Sequence, residues 1–327
     1  MYYSSTIIVV PVFNDWESLS ILLIKIDEVL DSENIHADIL ILNDGSTINY
    51  EGHLKILETK AINQIYILDL KRNLGHQRAI AIGLAYIETN IDCQVIVVMD
   101  SDGEDEPKDI PKLLYKCREE NYSKIVFARR TKRSESLIFK IFYSIYKYLF
   151  KLLTGEYIEM GNFSIIPIDI LRRIVVVSEI WNHYAAGILK ARIPFATIPC
   201  KRSSRITGRS KMNFVSLVMH GLSAISIYGD IIGTKSLMVA IILMLFSIVI
   251  ITVVYIVRVS VPDWAPYVAG FSFIIFLQLM TISFSFIFLI LNGRNSFVFL
   301  PKRDFHYFIL NFSNIYSRKN SNFNSEF

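Results

Sequence analysis

Cysteine is scarce in this chain. Cys93, Cys117 and Cys200 are the only three among 327 residues, and no two are close enough for a CxxC pair. That spacing excludes zinc ribbons and thioredoxin-like redox motifs. Buried free thiols in a reducing compartment are the expected state. A GxxxxGK[ST] loop is also missing, which excludes a P-loop NTPase. A nucleotidyltransferase would carry a Gly-rich, basic loop after the first apolar run; here that place holds Phe13-Asn14-Asp15. Excess charge is absent too. A formal net charge of +4 is too modest for a nucleic-acid footprint, so no nucleic acid partner is expected. Met1 to Val12 lacks a basic n-region and a cleavage site, so it reads as a first strand rather than a signal peptide.

Long apolar runs are what the chain has in surplus. Its apolar fraction is 52% and its mean hydropathy +0.40. The surplus lies toward the C-terminal end. Ser236 to Val257 carries no charge and is bracketed by Lys235 and Arg258, and Tyr267 to Leu291 is interrupted only by Gln278 and a few hydroxyls. A bilayer core of about 30 Å needs roughly 20 helical residues, so both runs read as transmembrane helices. Two buried core helices are the alternative, but such helices rarely stay charge-free this long. The connector Val259–Pro266 has no Lys or Arg, whereas Arg202, Arg205, Arg209, Lys211 and Lys235 precede the hairpin. Arg294, Lys302, Arg303, Arg318 and Lys319 follow it. The bias places both large ends on the cytoplasmic face of the cell (inner) membrane.

The first 130 residues alternate between two periods. Short β-branched runs at Thr6–Val10, Asp38–Leu42, Ile65–Leu70, Gln94–Met99 and Lys124–Ala128 are separated by helical patterns at Trp16–Leu30, His76–Glu88 and Ile110–Glu120. This rhythm predicts an α/β fold with a mostly parallel, doubly wound sheet. Ligands of such sheets bind beyond the carboxyl ends of the strands. Further on, Ser136–Leu153 carries Lys140, Ser144, Lys147 and Lys151 as one polar stripe on a helix of Phe, Ile, Tyr and Leu. Beside a membrane hairpin this reads as an interfacial helix; a helix buried in a soluble protein is the alternative. Asn213–Ile232 reads as a second juxtamembrane helix. The Asn- and Ser-rich tail from Ser313 is expected to be disordered.

Asp100-Ser101-Asp102 follows the apolar run Val95–Met99 directly, and Glu104, Asp105 and Glu106 come next. Alternate residues of a strand point the same way, so Asp100 and Asp102 converge past the strand end. Carboxylates crowded at a sheet rim repel one another unless a cation sits among them, and hard oxygens suit Mg²⁺ or Mn²⁺. The competing reading is an acidic loop that caps the helix after Pro107, with Asp105 as N-cap. The run Lys71-Arg72-Asn73-Leu74-Gly75-His76-Gln77-Arg78 sits between strand and helix. Its free helix-start N–H groups suit a phosphate or a sugar edge, or it is simply a polar turn.

Taken in order, the motifs resemble the inverting GT-A-fold glycosyltransferases (family 2 type) of the dolichyl-phosphate mannose synthase and polyprenyl-phosphate glucosyltransferase kind. They are Val10-Pro11-Val12-Phe13-Asn14, Asn43-Asp44-Gly45-Ser46, Arg72-Asn73-Leu74-Gly75, Asp100-Ser101-Asp102-Gly103-Glu104-Asp105, Ala128-Arg129-Arg130, Gly161-Asn162-Phe163-Ser164 and Thr207-Gly208-Arg209-Ser210-Lys211. The C-terminal hairpin completes the likeness, which covers about residues 5 to 292. The resemblance implies that Pro11, Phe13, Asp15 and Asp44 line the nucleotide, with Asn73 and Gly75 beside it. Asp100 would touch the nucleotide, and Asp102, with Asp100 and Glu104, would hold the metal bridging the diphosphate. Arg129, Arg133, Arg205 and Lys211 would hold donor and acceptor phosphates.

Two departures bear on chemistry. Gly103-Glu104-Asp105-Glu106-Pro107 stands where the family commonly has Leu-Gln-Asp-Pro-Pro, and Gly161-Asn162-Phe163 replaces Gly-Asp-Phe. Ile180-Trp181-Asn182-His183-Tyr184 stands where this fold often places an acceptor-site acid or base. A phosphate acceptor needs no base, whereas a hydroxyl acceptor does, and His183 or Glu179 would then serve. A structural role on a helix face is the alternative for His183, and His220 reads as structural.

The expected partition is a GT-A catalytic domain over 1–212 containing the interfacial helix 136–153, then a juxtamembrane helix 213–233, transmembrane helices 234–293 and a cytoplasmic tail 294–327. The expected reaction moves a hexose from a UDP- or GDP-sugar to polyprenyl phosphate or another lipid acceptor, as in cell-envelope glycan synthesis. A homo-oligomer is compatible with the pattern. A silent membrane scaffold is the rival from another class, and the intact Asp44, Asp100, Asp102 and Arg129 argue against it.

Overall fold

The computed structural model describes residues 5–130, 137–201, 203–207, 214–257, 265–295 and 299–318. The chain divides into two compact units. The first comprises Met1–Ser144, Tyr157–Ile227 and Phe299–Phe327; the second comprises Ile145–Glu156 and Tyr228–Val298.

The first unit is built on β1 (Thr6–Val12), α1 (Trp16–Ser32), β2 (Ala37–Asn43), β3 (Ile62–Leu70), α2 (His76–Asn90), β4 (Val95–Val98), α3 (Ile110–Glu119) and β5 (Ile125–Arg130). After α4 (Leu137–Thr154) come β6 (Met160–Pro167), α5 (Ile168–Ile174), α6 (Tyr184–Lys190), β7 (Phe195–Cys200) and α7 (Phe214–Ser226). The membrane candidates α8 (Gly229–Val257) and α9 (Ala265–Asn295) precede the last strand, β8 (Ile309–Ser317). One eight-stranded sheet results, in the order β7-β5-β6-β4-β1-β2-β3-β8. Strands β1 to β4 pair in parallel around β1, and β5 pairs in parallel with β7, while β6 and β8 run antiparallel to their neighbours.

β1 shows why the sequence chooses this arrangement. Every residue of Thr6–Val12 is buried, as expected for a parallel strand covered on both faces. Ile7 and Val9 pack toward α2, whereas Ile8 and Val10 pack toward α1. Pro11 is tolerated here for a specific reason. The Val12 carbonyl accepts from Asp44 on the β2 side, and the Val9 carbonyl accepts from Met99 on the β4 side. Bonding sides alternate along a parallel strand, so Pro11 faces the β4 side. β4 pairs with Thr6–Val9 only, so the missing N–H at Pro11 breaks no ladder bond.

Several expectations are corrected. The segment from Ser313 is not disordered through Ser317: it belongs to β8, an edge strand antiparallel to β3. Phe312 stacks on Tyr66 with centroids 5.3 Å apart, and the Tyr316 hydroxyl accepts from the Thr59 N–H at 3.0 Å. Asn and Ser on the open side suit a sheet edge that must not recruit another strand. Residues 299–318 therefore belong to the folded first unit rather than to a detached tail, and the rest of the expected tail, 319–327, lies outside the described residues. The expected single helix over 213–232 is broken: α7 ends at Ser226 and α8 begins at Gly229. Asp105 is not a helix cap. The short turn Pro107–Asp109 has Glu106 at its N-cap position without a side-chain bond, and Asp105 instead accepts from the Asp100 N–H at 3.3 Å. The three cysteines are buried free thiols, as expected.

In the second unit, α8 and α9 contain stretches of 26 and 22 residues, Gly229–Val254 and Pro266–Ile287, long and apolar enough to cross a membrane. Only 11% of each hydropathic window is buried, which is the opposite of a soluble core helix. The buried positions are small, among them Ala240, Ser247, Ser272 and Ser283. The Ser247 hydroxyl donates to the Ser272 carbonyl across the pair at 2.6 Å. Small residues and hydroxyl bonds are how helices associate where lipid supplies no hydrophobic drive. On α4, Ile145, Tyr148, Leu149 and Leu152 are exposed. That exposure does not fit a helix buried in a soluble core.

Candidate active site

Parallel pairing puts the carboxyl ends of β1, β2 and β4 on one rim, and antiparallel β6 brings its first residues to the same place. Asp15, Asp44, Asp100 and Asp102 follow those three strand ends, and Asn162 lies near the start of β6. The loop after β1 is laced to the loop after β2. The Asn14 N–H donates to Ser46 Oγ at 3.0 Å, the Ile48 N–H donates to Asn14 Oδ1 at 2.9 Å, and Trp16 Nε1 donates to the Ile48 carbonyl at 2.8 Å. Pro11 is buried within β1, while Phe13 stands 38% exposed at the rim. Of these two nucleotide-lining candidates, Phe13 is the exposed one.

Asp44 holds the next loop in place. Its carboxylate is 3% exposed and accepts from the Leu74 N–H at 2.8 Å and the Gly75 N–H at 2.9 Å. Burial pushes its pKa above the ordinary carboxylate value. The two N–H bonds and the charges of His76 and Arg72 pull the other way. Gly45 is required beside it. Its φ is +64°, and a Cβ there would lie 2.4 Å from the Arg72 carbonyl carbon and 2.5 Å from the Asn73 nitrogen. Backbone passes against backbone with no room for a side chain. Asn73 and Gly75 are thereby fixed at the rim, with Asn73 exposed and Gly75 at the N-cap of α2 with φ +91°.

A polar network joins Asp100 to α2. His76 Nε2 lies 2.9 Å from Asp100 Oδ1. Asn162 Nδ2 lies 2.9 Å from the same ring nitrogen and 3.4 Å from Asp100 Oδ1. Gln77 fixes the amide, donating from Nε2 to Asn162 Oδ1 at 3.0 Å and accepting the Tyr184 N–H at 2.6 Å. Burial lowers the His76 pKa, but the charges of Asp100, Asp102 and Asp105 and the Asp100 bond outweigh it, so the ring titrates above its ordinary value. A charged ring donates from Nε2 to Asp100, and Asn162 then serves Asp100 rather than the ring. His76, Gln77 and Asn162 lie in motifs that the sequence singles out, but nothing in the sequence gives them individual roles. Asn162 had a signal, since it replaces the family's Asp. His76 had one too, as the first helical residue after Gly75.

Asp102 looks the other way, toward the loop after β7. Arg205 NH1 donates to Asp102 Oδ2 at 3.4 Å, and Arg205 NH2 pairs with Asp15. Arg205 thus joins the ends of β4 and β1. Its loop lies along the acidic one: the Ser203 N–H donates to the Glu104 carbonyl at 2.9 Å and the Ile206 N–H to the Asp102 carbonyl at 3.0 Å. Gly103 allows that approach, because a Cβ there would lie 2.3 Å from the Ile206 side chain. The Glu104 backbone also donates to Asp102 Oδ1 at 3.0 Å.

Among the described residues, no group of three or more His, Cys, Asp or Glu is arranged to hold a metal by itself. The donor set still fits a divalent cation of the Mg²⁺ or Mn²⁺ kind. Such ions commonly take one or two carboxylates and complete their shell with water and substrate phosphates. Asp100 and Asp102, two positions apart after β4, are carboxylates of that type, although they do not converge as expected: Asp100 faces His76 and Asn162, and Asp102 faces Arg205.

Arg129 NH1 is 3.7 Å from Glu159 Oε2, with both side chains nearly half exposed. Arg133 and Lys211 lie outside the described residues. His183 stands at the N-cap of α6. It is 6% exposed, its Nδ1 accepts the Ala186 N–H at 3.3 Å, and its ring lies 4.5 Å from that of His220. Burial, then the His220 charge, pushes its pKa down to about 3. Glu179 is likewise engaged, 3.5 Å from Lys190 and bonded by the Ser178 hydroxyl. We predict that His183→Gln changes kcat/KM less than about threefold between pH 6 and 8, because removing a general base costs roughly 10²–10⁴-fold. A pH–rate profile comparing the two proteins checks this, and a hundredfold loss would restore His183 as a base.

This site can be set beside known proteins. The model described as Glycosyl transferase family 2 matches residues 7–174. The uncharacterized glycosyltransferase YkcC of Bacillus subtilis (strain 168) is 28% identical over 230 residues, covering 67% of this chain and 68% of its own. Among solved structures, glucosyl-3-phosphoglycerate synthase from Mycobacterium tuberculosis, in complex with Mn²⁺, uridine diphosphate and glucosyl-3-phosphoglycerate, is similar at 12% identity and a TM-score of 0.48. That likeness covers 70% of this chain and 80% of that one. Mannosyl-3-phosphoglycerate synthase from Rubrobacter xylanophilus is similar at 11% identity and a TM-score of 0.49, covering 68% and 72%. The family match runs from β1 through α5 and so contains the strand ends that carry Asp15, Asp44, Asp100 and Asp102. The chain therefore belongs to glycosyl transferase family 2, as a nucleotide-sugar glycosyltransferase with the GT-A fold.

Proposed function

We propose that this enzyme transfers a hexose from a UDP- or GDP-sugar to polyprenyl phosphate at the cytoplasmic face of the cell (inner) membrane, with inversion at the anomeric carbon. One observation carries the lipid acceptor. The chain leaves the first unit after Ile227, passes through two exposed apolar helices and re-enters the same unit at Phe299. Two crossings return a chain to the side it left, so a membrane hairpin keeps β8 and β3 in one compartment. A soluble acceptor would give no reason for that insertion.

The side chains support a phosphate rather than a hydroxyl. An anionic phosphate oxygen can attack the anomeric carbon as the bond to the departing nucleoside diphosphate breaks, with no proton to remove. Both base candidates, His183 and Glu179, are engaged elsewhere. A divalent cation bound at Asp100 and Asp102 would neutralise charge on the leaving diphosphate. Arg205 lies beside Asp102 for the same purpose. Phe13 gives the nucleotide base a face, and Asp44 with Gly45 fixes the Asn73–Gly75 loop against it.

The test is radiolabelled sugar transfer in detergent with a panel of UDP- and GDP-sugars, Mg²⁺ or Mn²⁺, and undecaprenyl or dolichyl phosphate. The expected product is a labelled lipid that mild acid releases. Metal-dependent donor hydrolysis with no lipid label would move the acceptor to a hydroxyl, and no turnover with any donor would favour a silent scaffold.

A further inference from the structure

Arg78 differs from the paired cations of the rim in lying over an aromatic ring. Arg205 is paired with Asp15 and Asp102, His76 with Asp100 and Arg129 with Glu159. Among the described residues, no carboxylate pairs with Arg78; its guanidinium lies over the Trp181 ring, 5.1 Å from the centroid. It sits in the first turn of α2, directly after His76 and Gln77. Its side chain is half-buried rather than extended into solvent.

Trp181 is itself held firmly. Its ring packs on Phe299 with centroids 3.8 Å apart and on Phe308 at 5.3 Å. It ends the turn Ser178–Trp181, which leads into α6, and the first residue of α6, Tyr184, donates its N–H to Gln77. Two consecutive residues of α2 therefore grip this segment, Gln77 by a hydrogen bond and Arg78 by its charge over the ring. Phe299 is also where the chain re-enters the unit after the hairpin. A guanidinium held over a ring by its charge can still donate from its N–H groups. Those donors form the planar fork that matches a phosphate.

We propose that Arg78 binds the anionic phosphate of the lipid acceptor, with Trp181 as its positioning residue. The proposal rests on the lipid-phosphate reading above. It assigns the acceptor side of the site to the first turn of α2 and the 178–184 segment. Asp15, Asp102 and Arg205 lie with the donor. The donor diphosphate is the other phosphate source, and separate KM values distinguish the two.

The experiment uses full-length protein in detergent, with citronellyl phosphate and uncharged citronellol as short acceptor probes. Losing one charged hydrogen-bonding partner costs on the order of tenfold or more in affinity. Arg78→Gln should therefore raise the KM for citronellyl phosphate by about that factor. The donor KM and metal-dependent donor hydrolysis should stay as in wild type. Trp181→Leu should raise the same acceptor KM by a smaller factor, and Arg78→Lys, which keeps charge without the fork, should recover part of the loss. An unchanged acceptor KM in Arg78→Gln overturns the assignment, and so does a rise confined to the donor KM. If wild type binds citronellyl phosphate no better than citronellol, the lipid-phosphate reading itself fails and the assignment falls with it. If wild type discriminates and Arg78→Gln discriminates equally well, only the assignment fails.

Discussion

Replacing Asp102 with Ala is expected to lower kcat by roughly 10³-fold or more, the scale on which charge-stabilising groups act in a transition state. Asp102 follows the end of β4, where it accepts from the Glu104 N–H and from Arg205. The substitution removes a carboxylate that would hold the divalent cation. It also removes one of the two acidic partners of Arg205. Folding should survive, because Arg205 keeps Asp15 and the Asp102 carbonyl still accepts the Ile206 N–H. The measurement is metal-dependent turnover of the donor, with a thermal melt run in parallel. A large loss of turnover with an unchanged melt supports the role. Full activity in the variant would remove Asp102 from the metal and diphosphate machinery.

Asp44→Ala is expected to act through the fold as well as the site. It would strand the Leu74 and Gly75 N–H groups beneath the loop, after deleting a carboxylate that is almost wholly buried. Each buried, unsatisfied donor costs about 1–3 kcal/mol, so the pair amounts to a few kcal/mol. For a unit of this size, each kcal/mol moves Tm by about 2–4 °C. The loop also sets the start of α2, so His76 and its bond to Asp100 should loosen, and the donor KM should rise. Asp44→Asn can accept one N–H but turns a donor toward the other, and it should fall between wild type and Ala. A Tm within about 1 °C of wild type for Asp44→Ala would show that the two N–H bonds contribute little.

The first five strands and three helices were legible because their periods are strong and their ends are marked. Asn14-Asp15, Asn43–Ser46 and Asp100-Ser101-Asp102 all follow apolar runs, and the parallel sheet brings those ends to one rim. β8 was not legible, because Asn and Ser on an exposed edge strand look like a disordered tail. Only the pairing with β3 shows that Phe312 and Tyr316 have partners. The His76–Asn162–Gln77 network was hidden for a topological reason. Antiparallel β6 carries Asn162 to Asp100 across more than sixty positions of sequence, and no local pattern announces that. His183 drew notice in the sequence because a histidine in that segment suits a base. Its capping bond and its burial against His220 are tertiary facts.

The central claim is that the acceptor is a lipid phosphate. The most direct measurement compares undecaprenyl phosphate with undecaprenol as acceptors, at matched concentrations in the same detergent, using the donor and metal the enzyme accepts. Transfer to the phosphate, with none to the alcohol, is the predicted result. Transfer to the alcohol, with the phosphate inert, would contradict the account and call for a base at the acceptor hydroxyl.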